Sequence, residues 1–155
     1  MAIPIKRFQF TLDKLKGYKE QVLSKEKGDL AALRAQQAKY AAEQAKVQAE
    51  LDEANEEFLR KSGSGMTIME MTLFKEYLNS LSDQIRELEK KIQLEEEKIK
   101  FQTKVVVEAN KDVSSLEKLE DKQREEYNFK AAKAEEQFIE EYVSNSVYYK
   151  TANQC

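Results

Sequence analysis

The sequence predicts an all-α chain, folded as a long two-helix antiparallel coiled-coil hairpin whose second helix is longer than its first. Three observations predict it. Phe74, Leu78, Leu81, Ile85, Leu88 and Ile92, then Ile99, Val106, Ala109, Val113 and Leu116, keep to steps of four and three residues, the repeat that holds one narrow seam against a partner helix. Only one segment, Ser62-Gly63-Ser64-Gly65, interrupts both halves of the chain, and its glycines supply the backbone angles of a reversal. Charged residues form 35% of the 155, with the signs interspersed and with one Pro, four Gly and no Trp. That composition suits the solvated faces of a thin helical bundle and not a thick globular core.

The elements follow in order. Helix one is expected over about residues 8–60, with Phe8, Leu12, Leu15, Val22, Leu33, Tyr40, Val47, Leu51, Ala54 and Phe58 at helical spacing and an Ala-rich middle from Ala31 to Ala49. This stripe is weaker than the second because polar residues occupy several core positions. Gly17 and Gly28 lie inside it, each costing about 1 kcal/mol relative to Ala. The turn is expected at about 61–66. Thr67-Ile68-Met69-Glu70 then matches a capping box, in which hydroxyl and carboxylate satisfy the exposed amides of a new helix. Helix two is expected over about 67–144, a flexible tail over about 145–155, and the whole of 1–155 as a single domain. Along helix two, Glu87 with Lys91, Glu96 with Lys100 and Glu120 with Arg124 form i,i+4 pairs, each contributing about 0.2–0.5 kcal/mol.

A turn centred near residues 63 and 64 sets a register. Ala42, Ala45 and Ala49 then face Ile85, Ser82 and Leu78, small residues accepting large ones. Leu15 and Val22 fall near Val113 and Val106, and Phe8 near Leu119. Beyond about Tyr127 helix two has no partner from helix one, yet it carries Phe129, Phe138, Ile139, Tyr142 and Val143. A contiguous apolar surface of that size marks a contact site. It is covered by a partner protein, by the first ten residues folding back, or by a second chain in a homodimer. The start of helix two is a second candidate surface: Met66, Ile68, Met69 and Met71 are adaptable side chains in a stretch with a single charge, suited to varied partners.

Other classes are excluded on composition. The net charge of -3 and the absence of a basic patch leave no face for nucleic acid. The longest apolar run is far too short to span a bilayer, and MAIPIKRFQF lacks the apolar segment of a signal peptide, so the expected location is cytosolic without direct bilayer insertion. Cys155 is the single cysteine and cannot form an internal disulfide. There is no His, no Gly-rich phosphate loop and no nucleophile with a base. Glu136 and Glu140 lie one turn apart, but carboxylates do chemistry only in a convergent pocket. No enzyme, cofactor or metal is expected.

Phe8-Gln9-Phe10-Thr11-Leu12-Asp13-Lys14-Leu15, followed by Lys19-Glu20, resembles the amino-terminal F-x-F-x-L-x-x-L signature of the flagellar FliJ family. Leu116-Glu117-Lys118-Leu119-Glu120-Asp121-Lys122, with Tyr127 and Glu135-Glu136-Gln137 downstream, is similar to the family's E-K-L stretch and Glu-Gln segment. The chain departs from the family at Lys16 and Gly17 and in the added Ile3-Pro4-Ile5. The resemblance implies a cytosolic stalk of the flagellar type III export apparatus, similar to the two-helix stalk of rotary ATP synthases and peripherally associated with the membrane through that apparatus. It implies three partners: the hexameric export ATPase, the cytoplasmic domain of the membrane export gate, and export chaperones. The end bearing Phe8, Phe10, Leu119, Tyr127, Phe129, Gln137, Phe138 and Tyr142 would enter the ATPase ring. Phe74, Leu78, Leu81 and Ile85 fall in the region the family turns toward the gate, although their spacing also places them in the hairpin seam. A self-associating structural coiled coil and the equivalent stalk of a virulence type III secretion system are the alternatives.

Overall fold

The computed structural model describes residues 6–153. It contains two helices, α1 (Asp13–Ser64) and the longer α2 (Ile68–Ala152), paired antiparallel as a hairpin. Asp13 and Glu70 stand in the first turns and Lys61 and Lys150 in the last, each opposing the local end of the helix dipole. Interhelical contacts group into two units. One holds Leu23–Glu108; the other joins the chain up to Val22 with the chain from Ala109.

The unit Leu23–Glu108 contains the reversal. α1 runs on through Ser62, Gly63 and Ser64, which were expected in the turn. The serines satisfy themselves within the helix, Ser62 Oγ donating to the Leu59 carbonyl at 3.1 Å and Ser64 Oγ to that of Lys61 at 3.2 Å. Gly65 alone takes a left-handed conformation, φ 99°, which ends the helix without a Cβ clash. The capping box closes the start of α2: Glu70 N–H donates to Thr67 Oγ1 at 3.2 Å and Thr67 N–H to Glu70 Oε2 at 3.3 Å.

Because the turn lies later than the Gly/Ser segment suggests, pairing across this unit shifts with it. The shielded positions of α1 step alternately by three and four from Leu23 through Glu26, Leu30, Leu33, Gln37, Tyr40, Gln44, Val47, Leu51 and Ala54 to Phe58. Ala42, Ala45 and Ala49 lie on the exposed outer face. Leu33, Tyr40, Val47, Leu51, Ala54 and Phe58 hold the expected stripe, and Gln44 joins them. On α2 the shielded row runs from Phe74 through Leu81, 3% exposed, Leu88 and Glu95 to Ile99 and Gln102.

Glutamines lock this seam. Gln37 Nε2 donates to the Ile92 carbonyl at 3.5 Å and to Glu96 Oε2 at 2.7 Å, and Gln44 Nε2 to the Ile85 carbonyl at 3.4 Å and to Glu89 Oε2 at 2.8 Å. From the other helix, Gln102 Nε2 donates to the Glu26 carbonyl at 3.0 Å and to Glu26 Oε2 at 2.5 Å. Each glutamine ties its side chain to one backbone carbonyl of the other helix, so polar residues that weaken the stripe also define its register.

In the other unit charged pairs interrupt the apolar seam. Ala109 and Val113 are buried, but Lys16 meets Glu120 at 2.6 Å and Lys19 meets Asp112 at 3.3 Å. Leu12 and Leu15, expected on the stripe, are 37% and 43% exposed. α2 continues to Ala152 through residues expected as a flexible tail. No Gly or Pro interrupts 145–152, and Thr151 Oγ1 donates back to the Val147 carbonyl at 2.6 Å. Residues 154 and 155, with Cys155, lie outside the described residues.

Candidate functional site

In the unit containing both chain ends, residues 6–12 form a non-helical strap along α2. An extended chain covers about twice the distance per residue of a helix, so Phe8 reaches Tyr127 instead of the vicinity of Leu119. The two rings are 5.5 Å apart and tilted by 55°, and the Arg124 guanidinium lies 4.8 Å from the Phe8 ring centroid. Phe10 is buried. Thr11 Oγ1 and Gln123 bond at 3.2 and 3.1 Å, and Tyr127 Oη donates to the Lys6 carbonyl.

Beneath the strap, Glu120 is held below the usual carboxylate value by its hydrogen bond from Lys16, and then by the positive charges of Lys16 and Arg124. The same bond raises Lys16 above the ordinary lysine value. Both side chains are largely shielded, so the pair forms a layer of the seam.

Ala131 is the last partly shielded position of α2; every residue from Ala132 to Asn153 is exposed. Phe138 is 40% and Tyr142 70% exposed. Of the residues expected at a ring contact, Leu119, Phe129, Gln137, Phe138 and Tyr142 present surface, whereas Phe8, Phe10 and Tyr127 are engaged by the strap. Val147, Tyr148 and Tyr149 extend the exposed apolar surface toward the end of α2.

The unit Leu23–Glu108 holds the other expected residues. Phe74, Leu78 and Ile85 are half-buried and Leu81 is buried, so all four contribute to the seam. Phe74 packs on Phe58 with ring centroids 5.5 Å apart. At the tip, Ile68 and Met69 are strongly exposed, while Met66 and Met71 are half-buried. Leu59, Leu73 and Tyr77 add exposed apolar surface there, as do Leu94 and Phe101 farther along α2. Leu73 closes the tip stretch singled out from the sequence, whereas Leu59, Tyr77, Leu94 and Phe101 escape a search for stripes, although apolar residues off the heptad seam were the available signal.

Among the described residues, no group of three or more Cys, Asp or Glu is placed to hold a metal ion, and neither helix is long and apolar enough to cross a membrane. The grooves beside the helices are shallow and lined by mixed charge. What the molecule offers is helical surface at the strap end and at the tip.

The family model for the flagellar FliJ protein matches residues 8–151. Comparison with curated proteins and with solved structures gave no match.

Proposed function

The chain belongs to the FliJ family, components of the flagellar export apparatus, and from that membership we propose that it is a non-enzymatic stalk which inserts into the ring of the export ATPase. The observation that carries this reading is α2 beyond Ala131, exposed throughout and bearing Phe138 and Tyr142. Aromatic side chains are effective interface anchors because they bury much area while ordering few torsions. A stalk inside a ring contacts several subunits in turn, which needs a helix with an asymmetric surface and no pocket. The ring contact is made by Leu119, Phe129, Gln137, Phe138 and Tyr142, with Phe8, Phe10 and Tyr127 fixing the strap behind them.

The gate's cytoplasmic domain is proposed to meet the half-exposed edges of Phe74, Leu78 and Ile85, with Leu81 supporting them from within the seam. Export chaperones are proposed for the Met66–Met71 tip, where flexible thioether chains can repack against different partners. These contacts would hold the protein at the inner face of the membrane without inserting it. The family match favours the flagellar apparatus over a virulence system.

The test is the effect of the full-length chain on hexamerisation and ATP hydrolysis by purified flagellar export ATPase. Stimulation by the wild type, lost in Phe138→Asp/Tyr142→Asp with helicity unchanged, supports the reading. No binding by the folded wild type overturns it.

A further inference from the structure

Glu120, Gln123, Tyr127 and Ala131 end the shielded row of α2, and Phe138 and Tyr142 prolong it after further steps of seven and four residues. All six therefore share one face of the helix. α1 begins at Asp13 and its Lys16 meets Glu120, whereas Gln123 and Tyr127 are met by Thr11 and Phe8 of the strap. The strap thus stands where a partner lying against Phe138 and Tyr142 would run next.

Its hold is light. Phe8 and Phe10 are shielded while Arg7 and Gln9 are exposed, the alternation of a single extended strand. Side chains of α2 fasten it, not a backbone ladder: Gln123 Oε1 accepts from Thr11 N–H at 3.5 Å and from Thr11 Oγ1 at 3.2 Å, and Tyr127 Oη donates to the Lys6 carbonyl. Arg124, paired with Glu120 at 3.5 Å, faces the Phe8 ring. The three hydrogen bonds are exposed, so water replaces them at little cost. Phe10 is the buried anchor.

We propose that residues 6–12 are an autoinhibitory strap, which the ring of the export ATPase displaces from Gln123 and Tyr127 as it takes up Phe138 and Tyr142. This rests on the ring reading above and adds its regulation. In the free chain the strap shields part of an aromatic face that would otherwise lie open to unspecific adhesion. Displacement lengthens the contact to Gln123–Tyr142, about 28 Å of helix, and adds the Tyr127 ring to it.

Two measurements with purified export ATPase, on the full chain in a Cys155→Ser background, test this. Thr11→Cys/Gln123→Cys joined by a short flexible thiol crosslinker should bind about tenfold more weakly than the same variant left unjoined, with helicity unchanged. A nitroxide pair on Gln9→Cys and Glu126→Cys, exposed positions beside one shallow groove, should be close in the free chain and move apart when the ATPase binds. Equally tight binding by the crosslinked chain, or a nitroxide distance that the ATPase leaves unchanged, overturns this proposal alone and leaves the ring reading standing. A folded wild type that does not bind the ATPase overturns both. Phe8→Ser/Phe10→Ser, with helicity unchanged, should bind more tightly than wild type. Weaker binding would make the strap itself part of the contact and so overturn its inhibitory role.

Discussion

Lys16 of α1 donates a 2.6 Å hydrogen bond to Glu120 of α2, and this bond forms a charged layer of the seam at the strap end. It holds the Glu120 carboxyl below its ordinary value of 4.5 and Lys16 above 10.5. A lowered acid stabilises the fold fully above its unfolded value, and that contribution is lost as pH falls through the folded one. A raised base stabilises fully below its unfolded value, and loses its contribution as pH rises through the folded one. The pairing of the strap end should therefore be constant from about pH 5 to 10 and weaken on both sides. Carbon-detected titration of the Glu120 carboxyl should give a midpoint below 4.5 that moves upward in Lys16→Met.

Glu95 is 7% exposed in the seam, and its Oε2 has no hydrogen-bond partner. A buried carboxylate half-satisfied by an i,i+3 lysine is a costly seam residue. Glu95→Leu should raise stability by about 1–2 kcal/mol, read as a higher urea midpoint with unchanged slope. An unchanged or lower midpoint would mean that the carboxylate is better satisfied than its contacts indicate.

Gln44 bonds to both a backbone carbonyl and a carboxylate across the seam, and together with Gln93 it lowers the Glu89 carboxyl. Gln44→Leu should preserve or increase helicity, since the apolar repeat is then less interrupted, but it should relax the register. Paired cysteines at Phe58 and Phe74, which face each other, should crosslink cleanly in a wild-type background. They should crosslink less completely when Gln37→Leu is added as well.

Leu81, 3% exposed, is the most deeply shielded core residue described. Leu81→Ala should cost about 2–4 kcal/mol in thermal or urea unfolding. By contrast, Ile68→Ser and Met69→Ser at the exposed tip should stay within about 0.5 kcal/mol of wild type. Equal costs at the two places would contradict the burial described above.

Gly28 is exposed on α1, and a Cβ added there meets nothing within 4 Å. No close approach of another backbone explains it, so it is a tolerated helix defect. Gly28→Ala should stabilise by about 1 kcal/mol and raise the melting temperature by a few degrees.

By itself the sequence determined the two helices, their unequal lengths, the capping box at Thr67 and Glu70, and the seam from Phe74 to Leu116, because helical periodicity and capping are local and written in residue order. Tertiary structure decided which polar residues of α1 join the apolar stripe in the seam. Its seam is built from Gln37, Gln44, Lys16 and Lys19 as well as from apolar residues, and a polar residue is recognisable as a core residue only when its partner across the interface is known. For the same reason the alanines at 42, 45 and 49 resembled a seam but lie outside it. The extended strap that carries Phe8 to Tyr127 was equally hidden, since an aromatic pair separated by so much chain is joined only by the packing of the folded protein.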